Sequence, residues 1–241
     1  MKIFEKIKMH IEKCIFKVNG IDPISGTKVL KYDMIKLGTN YGGWYIPRNL
    51  LGSDSICYLV GAGEDISFDI EIAKNYNCKV ITIDPTPKAI ANFNKVKLLF
   101  KGFEIDFLPI GVWKEDTSLK FFAPENPDHV SHSIVNLQKT NSFFEADVKR
   151  LSSILLDLNH DRITLLKLDI EGAEYEVINS FLSDKILPKV LCVEFDEVFN
   201  PVDNNYKQRI KSTILKLFDN NYNIAYLDFP GNYTFIHNSM K

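Results

Sequence analysis

The stretch ICYLVGAGEDISFDI, residues 56–70, is a short apolar run that stops at Gly61-Ala62-Gly63 and passes into a helical period with Ile66, Ile70 and Ala73 on one face. A strand feeding a helix through a glycine turn is the opening unit of an open α/β sheet, and ligands bind outside the carboxyl ends of such strands. Glycine suits the turn because it is tight and because a ligand approaches the backbone closely there. Four more apolar runs follow at 78–84 (CKVITID), 104–110 (EIDFLPI), 163–169 (ITLLKLD) and 189–195 (KVLCVEF). Helical patterns near 65–75, 86–100 and 172–182 lie between them, so the runs read as parallel strands covered on both faces. YNIAYLDF and YTFIH then flank Pro230-Gly231-Asn232, which predicts a closing antiparallel hairpin and brings the expected sheet to seven strands.

The chain has 241 residues, 45% of them hydrophobic, enough for one core. Residues 1–50 read as an amphipathic helix and a glycine-punctuated lead-in, and 51–241 as the α/β domain. Net charge is −2, and only Arg48, Arg150, Arg162 and Arg209 stand among 29 basic residues, so a nucleic-acid partner is disfavoured. Cys14, Cys57, Cys78 and Cys192 lie at least 21 residues apart, a spacing that fits neither a zinc site nor a small disulfide scaffold. No run reaches the ~20 apolar residues of a membrane span. A cytoplasmic protein without stable membrane insertion is expected. Ile3, Phe4, Ile7, Ile11, Cys14 and Ile15 recur at helical spacing. Glu5 and Glu12 dilute the lysines between them, so packing on the body is expected in preference to membrane docking.

The glycine turn continues Gly61-Ala62-Gly63-Glu64-Asp65, and Asp84 ends the second strand 21 residues after Gly63. That is where a carboxylate accepts hydrogen bonds from ribose hydroxyls, and Pro85 fixes the turn behind it. In a dinucleotide site the helix start receives a pyrophosphate, yet here Glu64 and Asp65 follow the second glycine and Ile66 replaces the third. Two carboxylates repel a dianion but suit the ammonium and sulfonium of S-adenosylmethionine. Asp65 also suits a helix cap.

Residues 165–178, Leu165-Leu166-Lys167-Leu168-Asp169-Ile170-Glu171-Gly172-Ala173-Glu174-Tyr175-Glu176-Val177-Ile178, resemble the K-x-D-x-E-G-x-E signature of FkbM-type methyltransferases. The glycine turn, Ile83-Asp84-Pro85 and Ile110-Gly111-Val112-Trp113 fall in the order that family shows. The resemblance covers about residues 38–200 and implies a Rossmann-like class I methyltransferase fold. It implies S-adenosylmethionine as cofactor, bound by Gly61, Ala62, Gly63, Glu64, Asp84, Gly111, Val112, Trp113 and Asp169. The implied activity is methyl transfer to a hydroxyl of a sugar, glycan precursor or related small biosynthetic intermediate. One departure stands out: family members commonly carry Asp-x-Gly-Ala-Asn where this chain has Val60-Gly61-Ala62-Gly63-Glu64-Asp65. Tyr41-Gly42-Gly43-Trp44 is similar to a glycine-aromatic segment that some relatives carry, and is placed near the cofactor.

Methyl transfer to oxygen needs alignment of three atoms and loss of the hydroxyl proton. Asp169 ends the fourth strand and Glu171 opens the next helix, so either suits orientation of the acceptor or acceptance of its proton. Lys167 interrupts an apolar strand, as a partner for a neighbouring carboxylate would. Glu194 and Asp196 end the fifth strand, so several carboxylates are expected to converge. A hard divalent cation would explain that cluster, but donor or acceptor binding explains it too, and no metal site is assigned. Segment 111–162 is too long for a simple crossover, and Ala123 to Ser133 reads as a substrate loop in which His132 is a candidate general base. Two rival readings stand beside this one. A non-catalytic S-adenosylmethionine- or partner-binding domain would use the same turn, and a nicotinamide-dependent oxidoreductase would use the same fold. A homodimer is compatible with the sequence.

Overall fold

The computed structural model describes residues 3–126 and 129–238. Pro127 and Asp128 of the expected substrate loop lie outside them, as do Met1, Lys2, the last three residues and the side chains of Ile3, Phe4, Glu5, Lys6 and Lys8. The elements in chain order are α1 (Ile3–Asn19), β1 (Met34–Leu37), β2 (Trp44–Pro47), β3 (Ile56–Val60), α2 (Ser67–Tyr76), β4 (Lys79–Ile83) and α3 (Pro87–Val96). They continue as β5 (Ile105–Leu108), β6 (Gly111–Val112), β7 (Thr117–Phe122), β8 (Phe143–Lys149), α4 (Leu151–Asp157), β9 (Leu165–Leu168) and α5 (Glu174–Ser183). The chain closes with β10 (Val190–Glu194), α6 (Tyr206–Asp219), β11 (Tyr222–Asp228) and β12 (Asn232–His237).

The main sheet has the order β11-β12-β10-β9-β3-β4-β5. β10, β9, β3, β4 and β5 run parallel, and β12 is antiparallel to both β10 and β11. This is the Rossmann-like class I methyltransferase sheet that the sequence motifs imply. The order reverses at β3, so the crevice at a topological switch point lies beside Gly61 and the ends of β4 and β9.

Strand alternation builds two cores. Tyr58 and Val60 of β3, Leu166 and Leu168 of β9, and Leu191 and Val193 of β10 face one way, onto Val177, Ile178 and Phe181 of α5 and Ile210, Ile214 and Leu217 of α6. Cys57, Leu59, Leu165, Val190 and Cys192 face the other way, onto Phe68, Ile72 and Ala73 of α2. Lys167 lies in this second face by the same period of two. In α2 the deeply buried positions include Phe68 and Ile72, while Ile70 is only partly covered.

Two segments differ from expectation. Segment 111–162 folds a three-stranded sheet, β6-β8-β7, with β6 parallel and β7 antiparallel to β8. Irregular chain between β7 and β8 returns to the main body, and Ser133 pairs with Phe122 on the way. On α1 the stripe Ile7, Ile11 and Ile15 faces solvent, each side chain about half exposed. The helix meets the body through Met9 and Phe16, and Glu12 pairs with Lys207 at 3.1 Å. Glu12, one of the two acids that dilute the helix charge, is thus held against the body.

The lead-in after α1 is tied to the sheet by Asp22, which has no solvent exposure. Its carboxylate accepts the Tyr233 hydroxyl at 2.9 Å and the Ile24 and Ser25 amides at 3.1 and 3.0 Å. Asp22→Ala strands these donors, so we expect a loss of roughly 2–4 kcal/mol of stability with an unchanged urea m-value, read from the denaturation midpoint.

Candidate active site

The turn after β3 is held at unusually short range. Gly61 has φ of +87°, and a Cβ added there would meet the Asp169 carbonyl oxygen at 1.8 Å. Glycine is therefore required by both backbone angle and contact. Asp84 shapes the turn from the β4 side: its Oδ2 accepts the Ala62 and Gly63 amides, each at 2.9 Å. Its Oδ1 accepts the Thr86 amide at 2.7 Å and the Thr86 hydroxyl at 2.6 Å. A carboxylate has about four acceptor positions, and all four are met from within the chain. A ribose hydroxyl would have to displace one of these donors, so the evident work of Asp84 is to hold the glycine turn.

Asp65 points away from the turn. It accepts the Ser67 amide at 2.9 Å and the Thr39 hydroxyl, and Thr39 in turn accepts the Gly42 amide at 3.0 Å. A Cβ on Gly42 would lie 2.9 Å from the Asp65 carboxyl, so Gly42 permits this approach. The glycine-aromatic segment is thus clamped to the start of α2, with Tyr41 and Gly42 at the cavity. Trp44 is buried in the second core.

A cavity of about 390 Å³ opens along these strand ends. Its lining includes Gly61, Ala62, Gly63, Glu64, Asp84, Gly111, Val112, His132, Lys167, Asp169 and Glu171. Trp113 is a correction: it is 9% exposed, belongs to the first core and does not line the cavity. Tyr41, Val130, Ser131, Phe199, Asn200 and Asn232 also reach the cavity. Of these, Tyr41 lies in the glycine-aromatic segment and Val130 and Ser131 in the expected substrate loop, whereas Phe199 and Asn200 carry no local sequence signal.

Lys167 is buried, donates to the Gly61 carbonyl and pairs with Asp169 Oδ2 at 3.0 Å. Burial works against its charge, but Asp169 and then Asp69 outweigh it and hold the ammonium above its ordinary range. Beyond Asp169 the wall is acidic. Burial pushes Glu171 up to about 7, against the Ser131 hydrogen bond, with Asp169 adding repulsion. Burial likewise pushes Glu194 up to about 8, with Asp169 again adding to the effect, and carries Asp196 well above the carboxylate range. Glu174 rises to about 8 by burial although its Oε1 accepts the Ile170 amide at 2.9 Å. His132 contacts the Val130 carbonyl through Nδ1 at 3.0 Å and meets Phe144 edge-on. A carbonyl only accepts, so Nδ1 is the donor in this contact.

The fold is that of the class I methyltransferases. The family model for the Methyltransferase FkbM domain matches residues 60–228, and the chain belongs to that family. It is similar to Methyltransferase 1 of Beauveria bassiana, 28% identical over 141 residues that cover 50% of this chain and 57% of that protein. It is also similar to Probable methyltransferase-like protein 24 of Homo sapiens, 26% identical over 134 residues that cover 55% of this chain and 30% of that one. The matches thus span little more than half of the first relative and under a third of the second. Among solved structures, SAH-bound PaMTH1 of Podospora anserina aligns with a TM-score of 0.45 at 11% identity, covering 76% of this chain and 71% of that one. Magnesium protoporphyrin IX methyltransferase of Synechocystis PCC 6803 with bound SAM aligns with a TM-score of 0.40 at 13% identity, covering 78% and 72%.

The acidic wall gives the fold a pH signature. Carboxyls raised above 4.5 in the fold but ordinary in the unfolded chain carry no penalty while both forms stay protonated. Ionisation then destabilises the fold progressively as pH climbs through 4.5 toward about 8. Thermal unfolding should show a midpoint several degrees lower at about pH 8.5 than at about pH 6; an equal or higher midpoint at the alkaline end contradicts the raised values.

Proposed function

We propose that the chain is an O-methyltransferase acting on a hydroxyl of a sugar, glycan precursor or related small biosynthetic intermediate. S-Adenosylmethionine is the methyl donor its family uses. The observation that carries this reading is one cavity lined both by the glycine turn and by Lys167, Asp169, Glu171 and His132. The turn suits the donor: Gly61, Ala62 and Gly63 line the cavity with backbone and a single methyl group. Glu64 and Asp169 supply negative charge toward a cationic ligand, while Gly111 and Val112 form the facing wall.

When bound, the donor supplies an electrophilic methyl carbon, whose bond to sulfur breaks as its bond to the acceptor oxygen forms. The chain's task is alignment and removal of the hydroxyl proton. Asp169 and Glu171 orient the acceptor hydroxyls, and Lys167 fixes Asp169 against the Gly61 carbonyl. Nε2 of His132 takes the proton. The wall offers carboxyl oxygens to hydroxyls, and Lys167, the one lysine or arginine among the described lining residues, is already engaged by Asp169 and the Gly61 carbonyl, which favours a neutral, hydroxyl-rich acceptor over a phosphorylated one. Membership of a methyltransferase family removes the nicotinamide reading. A non-catalytic binder is disfavoured because His132, Asp169 and Glu171 share one cavity lining with the glycine turn.

Transfer of labelled methyl from S-adenosylmethionine to a panel of free sugars and glycosides tests the proposal. His132→Ala should lower turnover roughly 10²- to 10⁴-fold while leaving S-adenosylhomocysteine binding intact. Intact binding with no label entering any hydroxylated acceptor favours the non-catalytic reading instead.

A further inference from the structure

Asp169 follows β9, Glu171 lies in the turn beyond it, and Asp196 follows β10. One carboxylate oxygen from each lies within 4.8 Å of the others. Oδ2 of Asp196 is buried without a hydrogen-bond partner, in a residue only 6% exposed that lines the cavity. Oε2 of Glu174, two positions beyond Gly172, is also buried and unpartnered. Buried carboxylate oxygens are ordinarily paired, hydrogen-bonded or bound to a cation. Lys167 is the only lysine or arginine among the described residues lining the cavity, and it is already engaged by the Gly61 carbonyl and Asp169.

We propose that Asp169, Glu171 and Asp196 form a binding site for one divalent cation of the Mg²⁺ or Mn²⁺ type. The donor set is all oxygen, which suits a hard cation and not zinc or copper. Such ions favour six-fold coordination and retain exchangeable waters, so three protein carboxylates leave about three positions facing the cavity. Two neighbouring oxygens of an acceptor fill two of these as a chelate. This part rests on the methyltransferase reading and narrows its acceptor to molecules with an adjacent pair of oxygens, such as a vicinal diol. The cation stabilises the oxygen that loses its proton, Glu171 and Asp169 act on the acceptor through the ion, and His132 remains the proton acceptor.

Titration of the purified chain with Mn²⁺ alone, followed by calorimetry and by the paramagnetic signal of free Mn²⁺, tests the site without turnover. The expected result is one Mn²⁺ per chain at submillimolar affinity, weakened at least tenfold by Asp196→Asn and displaced by Mg²⁺. Should Asp196→Asn fail to fold, Glu171→Gln must show the same weakening. Wild-type protein that binds S-adenosylhomocysteine but no Mn²⁺ at millimolar concentration overturns the cation site and leaves the methyltransferase reading standing. Mn²⁺ binding without S-adenosylhomocysteine binding overturns that reading and supports the site. In the active protein, a chelator should abolish transfer to a vicinal diol, and Mg²⁺ should restore it; unchanged transfer overturns the chelate.

Discussion

The contact on which the site depends is the approach of the Gly61 turn to the backbone of Asp169. Two parallel strands, β3 and β9, end side by side, and the missing side chain at Gly61 lets the Asp169 carbonyl occupy the space a Cβ would need. Lys167 then joins the two loops through its bonds to the Gly61 carbonyl and the Asp169 carboxylate. The same lysine thereby fixes the glycine turn and Asp169 in one arrangement. Its burial is tolerable because both contacts are charge-assisted or to a carbonyl oxygen. Asp84 repeats the logic from β4, bonding two turn amides with one oxygen.

That arrangement leaves the cavity with two unlike halves. Toward β3 and β4 it is backbone and small residues, shaped by glycine. Toward β9 and β10 it is carboxylate, with Asp169, Glu171, Glu194 and Asp196 at the strand ends. Collecting acids in a partly desolvated wall opposes folding, and the raised proton affinities of Glu171 and Glu194 express that cost. Groups held in such a state are poised toward cationic or hydroxylated ligands, a common mark of a working site.

Much of this was legible in the sequence because it depends on local pattern. Apolar runs punctuated by glycine located β3, β4, β5, β9 and β10, and carboxylates at strand ends located the acidic wall. What escaped depends on long-range pairing. The register of β7 against β8 assembles a sheet from a segment that reads as one long loop, and that sheet carries Val130 to His132 into the cavity. Trp113 is placed at the cofactor by the family resemblance, yet its side chain packs in the first core with Val112. Asp84 lies at the expected position, but its engagement by four donors of its own chain cannot be read from spacing. On α1 the apolar period was clear, whereas the choice of Met9 and Phe16 as the buried face is made by contacts with the body.

The central claim is that the glycine turn, held by Asp84 and set against Asp169, is the donor cradle. Calorimetric titration with S-adenosylhomocysteine, comparing wild type with Asp84→Ala, tests it most directly. The account predicts micromolar binding to wild type, weakened at least tenfold by the substitution while the chain still unfolds cooperatively. Absence of binding to folded wild type, or equal binding by the two proteins, would contradict it.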